Sequence, residues 1–449
     1  MGPLGGHTRA TGFARRIPRG GGRGARLARR TSCPRTGPKK SSNAGMTRMA
    51  KEGNHYNGAD ELLCEAAIAV DRALEEMDRK IDWLERLTPV NIDEIWDGFQ
   101  ASSFRSMPDS RYGEGLDQDA PVLRSELFSL PVREIKNPIV EALMLEKQRE
   151  LDRQIELVRM RDKDGFILAS IDLFGHVSER FLQTAKDLLA TVPVLTPKQE
   201  DVGVAEVCEA AEAAIAGYRK RAPTFRCGIV VDPTPGTSMY VSAGDFHVAH
   251  DYRTSRHRVK PLIAHEIGTH VLTRHNGRRQ PLHTLAGGLC DYDVLQEGLA
   301  VLGEYLTGYL PADRLRVLAA RVVAAHMAAE KETGAEIYAC LTEQHAIPSK
   351  DAFDTAVRAK RGGGLTKDAL YLKGLEELLA YLSRGDKFEI LFLGKFALKQ
   401  LPSLEKLIEL GILHPPELLP TYCDDAAARQ RLAQVRKLPL SALYQETPQ

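Results

Sequence analysis

The stretch Ile263 to Thr273, I-A-H-E-I-G-T-H-V-L-T, sets a condition on the backbone before anything else is known of the chain. Its two histidines stand five apart, with a Glu directly after the first. At the more usual spacing of four, two imidazoles share one helix face and can bind one zinc ion while the Glu reaches its water. Five residues at about 100° each leave His265 and His270 about 140° apart on a regular helix. They can share an ion only if the turn between them takes in one extra residue. A π-bulge does this, and such bulges are frequent at functional sites. Gly268, in the middle of the stretch, is the residue that most cheaply permits unusual backbone geometry.

Seven of the 13 histidines fall between His247 and His283, but only His265 and His270 carry a Glu placed as a hydrolytic zinc site requires. Such a site keeps three protein ligands and one open position. Downstream, L-Q-E-G-L-A-V-L-G-E-Y-L offers Glu297 and Glu304 on an amphipathic helix, which small Gly298 and Ala300 are expected to let approach the histidine helix closely. Glu297 is the expected third ligand. Glu304, seven positions on and on the same face, is suited to accept the second ring N–H of a ligating histidine. Glu266 has the place of a general base, taking a proton from the water and handing it to the departing amine. The competing reading makes His265 and His270 ordinary core histidines and Glu304 a solvated or ion-paired glutamate.

Around this stretch the hydrophobic period changes twice. Helical patterns cover 59–87, 138–162, 167–191 and 203–220, with a Ser-, Pro- and Gly-broken connection over 98–137. F-R-C-G-I-V-V-D (225–232), S-M-Y-V-S (238–242) and F-H-V-A-H (246–250) are β-branched and aromatic, and read as a small sheet just ahead of the histidine helix. That helix is expected from Ser255 to His275, stopping at Asn276-Gly277. Helical periodicity returns over 291–309, 313–332, 348–360, 366–383 and 387–409. The expected fold is α+β and predominantly α-helical. The division is a basic leader over 1–55, a helical N-terminal subregion and loop over 56–137, a catalytic domain over 138–435 and a tail over 436–449.

Charge narrows the partners. Of 61 Lys and Arg, 12 fall in the first 50 residues, where there is no Asp or Glu; the other 49 face 60 acidic groups. The folded part is therefore acidic, which argues against nucleic acid as its partner. The leader has no apolar h-region, so it is not a secretory signal, and it is expected to be disordered. Met46 and Met49 stand just ahead of the first helical pattern, so a misplaced start codon competes with a targeting role. Seven cysteines without C-x-x-C pairs fit reduced thiols in the cytoplasm, and no apolar run approaches the length of a membrane span.

The pairing of H-E-I-G-T-H with Q-E-G-L-A resembles the bacterial flavohaemoglobin expression-modulating Q-E-G-L-A motif proteins, related to the microtubule-associated tyrosine carboxypeptidases. N-G-R-R-Q-P-L (276–282), T-K-D-A-L-Y-L-K-G (366–374) and L-F-L-G-K-F (391–396) extend the likeness over about 60–430. The same histidine spacing occurs in dipeptidyl peptidase III. The resemblance implies a zincin-like metallopeptidase core with one zinc ion on His265, His270 and Glu297, and Glu266 catalytic. It also implies carboxypeptidase-type hydrolysis of a peptide or protein tail.

A carboxypeptidase must hold a free α-carboxylate, which calls for Arg or Lys in reach. Arg253, Arg256, Arg258, Lys260, Arg274, Arg278 and Arg279 lie near the motif, and Arg256 with Lys260, at i and i+4, form the least arbitrary pair. Tyr371 and Tyr292 are candidates to donate to the tetrahedral oxyanion. Two rivals share the ligands. One is a zinc-stabilised regulatory protein whose fourth ligand would be His275 or His283, and the other is a hydrolase of non-peptide amides.

Overall fold

The computed structural model describes residues 63–195, 200–233 and 239–445. The leader over 1–55 and the last four residues lie outside the described residues. What is described is predominantly helical with small sheets. The main apolar core runs from Leu63 to Leu443, with a smaller cluster of Leu87, Leu157, Phe166, Leu173 and Leu365 beside it.

Helix α1 (Glu65–Ile81) buries Val70, Leu74 and Met77 against α2 (Pro138–Arg159), whose Asn137 cap accepts from two first-turn N–H groups. The pattern over 167–191 is split in two, α3 (Phe166–Phe174) and α4 (Glu179–Thr191). Gly175 takes φ +86° between them, a conformation that ends the first helix. α5 (Val204–Arg221) follows. Within the connection over 98–137 the chain also forms a helix, Ala120–Ser129. Pro121 stands in its first turn, where a missing N–H costs nothing, so a residue read as a breaker is an initiator here.

Strands β1 (Ile229–Asp232), β2 (Met239–Ser242) and β3 (Asp245–Ala249) form a three-stranded sheet in the order β1-β3-β2. β3 pairs parallel with β1, Ile229 opposite Phe246, and antiparallel with β2, Met239 opposite Val248. Phe246 and Val248 point into the core. A two-residue pairing of Val202–Gly203 with Arg253–Thr254 then delivers the chain to the histidine helix.

Helices α6 (Arg256–His265) and α7 (Leu272–Arg278) are one continuous helix interrupted by a π-helical segment, Glu266–Val271. Beyond it lie α8 (Tyr292–Leu306), α9 (Ala312–Ala329), α10 (Ser349–Lys360) and α11 (Leu370–Ser383). α8 and α11 cross backbone to backbone. A Cβ on Gly298 would lie 2.5 Å from the Gly374 carbonyl, so the crossing depends on glycine in both helices. The Gly362–Gly364 run is packed tightly. Gly362 takes φ +62° against the Phe166 ring and its N–H donates to the Tyr112 hydroxyl at 2.7 Å.

The expected helix over 387–409 is regular only at Leu401–Glu409. Ahead of it the chain leaves regular helix to meet the short helix Thr284–Gly287 and the two residues after it, with Lys395 N donating to Leu285 O at 2.8 Å and Leu289 N to Lys395 O at 3.0 Å. That exchange turns Lys395 toward the histidine helix.

Candidate metal centre

The extra residue demanded by the five-residue spacing is present as the π segment, which starts at Glu266 and ends one residue past His270. The Thr269 hydroxyl donates to the Ala264 carbonyl, five residues back, at 3.1 Å. Thr273 ties the next turn to α8 by donating to Gln296 Oε1 at 2.8 Å. Gly268 has no positive φ, so its backbone freedom is not what makes the bulge.

With the turn widened, the two imidazoles converge, ring centroids 5.2 Å apart. Nε2 of His265 and Nε2 of His270 each lie 3.9 Å from the same atom, Glu297 Oε2. That oxygen is buried and has no hydrogen-bond donor among the described residues. A buried carboxylate oxygen without a partner is costly, and here it faces two ring nitrogens, which is what a cation between the three would relieve. The donor set suits zinc. Burial and the neighbouring His265 drive His270 well below the usual histidine range, leaving it neutral as a ligand must be.

Glu304 is fully buried. Its Oε1 accepts from His265 Nδ1 at 2.9 Å, which turns Nε2 toward Glu297. Arg258 Nη1 donates to Glu304 Oε2 at 2.7 Å, and Arg314 Nη2 to Oε1 at 3.3 Å. Burial pushes this carboxyl up, but the two guanidiniums and His265 outweigh it and hold it well below the usual range. Arg258, a candidate for substrate, is thus spent on Glu304. Its place was readable: seven residues before His265 is about two turns on the same face.

Glu266 Oε1 lies 3.9 Å from His265 Nε2, beside the cluster and not bonded into it. Burial, with Glu297 and Glu304 nearby and His265 opposing, raises its carboxyl to about 7. Tyr371, on the first turn of α11, is coupled to Glu297 and packs under the Arg321 guanidinium, 4.8 Å from the ring centroid.

Arg256 and Lys260 are not brought to the cluster. Nine and five residues before His265, they fall about 180° and 140° away on α6. They line a cavity of about 480 Å³ on the opposite flank, with Tyr218, Ile263, Gly268 and Tyr422, and Arg256 pairs with Asp201 at 3.5 Å. The cations beside the cluster are others. Lys367 Nζ sits 3.6 Å from Asp293 and 3.8 Å from Glu297 Oε1. Lys395 packs 5.4 Å over the Tyr292 ring, its ammonium lowered to about 8 by burial and by Arg274. Both lie in stretches that carried the family resemblance, but nothing in local spacing pointed to them. His275 and His283 are engaged elsewhere, at 2.9 Å from Glu417 and 3.8 Å from Glu75.

The family model of the microtubule-associated tyrosine carboxypeptidases matches residues 97–438, well over half of the chain. The chain belongs to that family. A curated member, microtubule-associated tyrosine carboxypeptidase 1 of Rattus norvegicus, is 31% identical over 165 residues, which are 34% of this chain and 33% of that one. The match thus spans about a third of the rat protein. Among solved structures, a lipoprotein from Colwellia psychrerythraea aligns over 77% of this chain and 69% of its own, at 12% identity and a TM-score of 0.38, too low to indicate a common fold. Among the described residues no helix is long and apolar enough to cross a membrane.

Proposed function

We propose that this chain is a zinc-dependent carboxypeptidase that removes residues from the C-terminal tail of a peptide or protein. The observation that carries the reading is the unpartnered Glu297 Oε2 equidistant from two imidazole nitrogens, with Glu266 beside them and bonded to none. The two helices meeting at this point behind a small sheet support a zincin-like core. His265, His270 and Glu297 would hold the ion. When bound it supplies Lewis acidity, acidifying a water and polarising a carbonyl.

The chain's own groups then divide the work. Glu266 takes the proton of the attacking water as its oxygen bonds to the scissile carbonyl carbon. The C–N bond breaks, and Glu266 returns that proton to the leaving amine. Tyr371, on α11 and close enough to feel the Glu297 carboxylate, would donate to the developing oxyanion. Lys395 has no acidic side chain within ion-pairing distance among the described residues, which suits capture of a substrate carboxylate better than Arg256 or Lys260 on the far flank. The rival of a closed structural site is disfavoured, since its candidate fourth ligands, His275 and His283, face Glu417 and Glu75, and among the described residues the group holds three metal-type donors.

The test is metal content and peptide hydrolysis of wild type, Glu297→Ala and Glu266→Gln. Wild type and Glu266→Gln are expected to hold one zinc in this centre and Glu297→Ala none there, with C-terminal release only by wild type. Full zinc retention by Glu297→Ala would overturn the ligand set, and unimpaired hydrolysis by Glu266→Gln would overturn the role of the base.

A further inference from the structure

A second group of metal-type donors lies away from this centre. His326 and Glu330 stand at i and i+4 at the C-terminal end of α9, and His176 follows Gly175 in the turn between α3 and α4. One donor atom from each of the three lies within 4.8 Å of the others. Sequence reading did not join them, because His176 comes from 150 residues upstream of His326. The positive φ at Gly175 directs the chain here, and the i, i+4 spacing puts the other two donors on one helix face.

A further observation concerns His326. Its Nδ1 is buried and has no hydrogen-bond partner among the described residues, whereas buried ring nitrogens are ordinarily paired. The third cluster of this kind, Glu150, Cys290 and Asp291, differs on this point. Glu150 is taken by Lys147 at 2.8 Å and by the Asp291 N–H at 2.7 Å, and Asp291 by Lys399 at 2.5 Å. No ion pair of 4 Å or less engages His176, His326 or Glu330 among the described residues.

We propose that His176, His326 and Glu330 form a second transition-metal site, of the zinc class, that clips the α3–α4 turn to the end of α9. Two imidazoles and a carboxylate are a donor set that zinc takes, with ligand atoms about 3.4 Å apart in a tetrahedral shell. The donor atoms already lie within 4.8 Å of one another, and His176 and Glu330 are exposed, so their side chains are free to close on an ion. The site is remote from the first: His326 is five residues past Arg321, about 140° around α9 from the side chain that packs on Tyr371. It therefore acts as a cross-link between elements, with solvent completing the shell.

The experiment is zinc binding by isothermal titration of the full chain, stripped with chelator, for wild type, His176→Ala, Glu330→Gln, Glu297→Ala and the His176→Ala/Glu297→Ala double variant. His176 and Glu330 are exposed, so their replacement leaves folding intact, which circular dichroism checks. Two zinc ions are expected in wild type, one in His176→Ala, one in Glu297→Ala and none in the double variant, with Glu330→Gln weakening the second site. Unchanged stoichiometry and affinity in both His176→Ala and Glu330→Gln would overturn the second site. Because Glu297→Ala reports on the first centre separately, failure of one site is distinguishable from failure of the other.

Discussion

Glu304 carries no reacting atom, yet its loss is expected to be among the most damaging single changes near the centre. It fixes the His265 ring and neutralises Arg258 and Arg314, all inside the core. Glu304→Gln keeps the shape and removes the charge, leaving two guanidiniums without their anion. We expect zinc affinity to fall about 10–100-fold and stability by about 3 kcal/mol, read by chelator competition and by urea unfolding. Wild-type zinc affinity in Glu304→Gln would mean that the charge of Glu304 is not needed to orient His265. The charge on Glu304 was only half legible in the sequence. Its register relative to Glu297 and to the histidines could be read from helical spacing. Arg314 could not, because it arrives from the next helix, after a turn whose geometry no local pattern fixes. The position of Glu266 beside the cluster was legible from the motif, whereas that of Lys395 depends on an expected helix that breaks to pair with a distant segment.

Between residues and molecule stand the elements, and two glycines there are expected to behave in opposite ways. At Gly268 the backbone is ordinary, and a Cβ would meet the Tyr218 hydroxyl at 3.5 Å, Ala264 Cβ at 3.8 Å and Ile263 O at 4.0 Å, all ordinary contacts. Gly268→Ala should therefore preserve the π segment and zinc binding, and add up to about 0.5–1 kcal/mol through lost unfolded-state freedom. Destruction of zinc binding by this change would show that the bulge needs glycine after all. Gly374→Ala instead drives a Cβ into the Val294 carbonyl, one turn before Glu297. It should force α8 and α11 apart, costing about 1–3 kcal/mol or more and lowering zinc affinity with it, measurable by thermal melts with and without zinc. The π segment was legible because a chemical requirement and a spacing conflicted, and only one backbone device resolves the conflict. The close approach expected of Gly298 was to the histidine helix, but Gly298 meets Gly374 of α11 instead, since a sequence shows that a helix is small on one face and not what covers it. The helix at Ala120–Ser129 was hidden for a simpler reason: Pro and Ser mark helix starts as readily as they mark loops.

Across the whole molecule, the first described helix, α1, is bound to the segment that follows the histidine helix. Asp71 on α1 accepts from His283 N at 2.6 Å, Thr284 N at 2.9 Å and the Thr284 hydroxyl at 2.7 Å. One turn on, Glu75 faces His283 Nδ1 at 3.8 Å. The His283 imidazole holds the Glu75 carboxyl below its ordinary 4.5, and Glu75 holds His283 above its ordinary 6.5. The signs define a window. A depressed carboxyl contributes stability above about 4.5, lost as pH falls through its folded value, and a raised histidine contributes below about 6.5, lost as pH rises through its folded value. The pair therefore stabilises the docking of α1 between these limits and fades on both sides. Since the His283 side chain is 44% exposed, its worth is under about 1 kcal/mol. Glu75→Gln should lower the urea midpoint at pH 5.5 and leave it close to wild type at pH 8.5, where His283 is neutral in both. An equal loss at the two pH values would assign the contribution of Glu75 to packing against the histidine and not to charge.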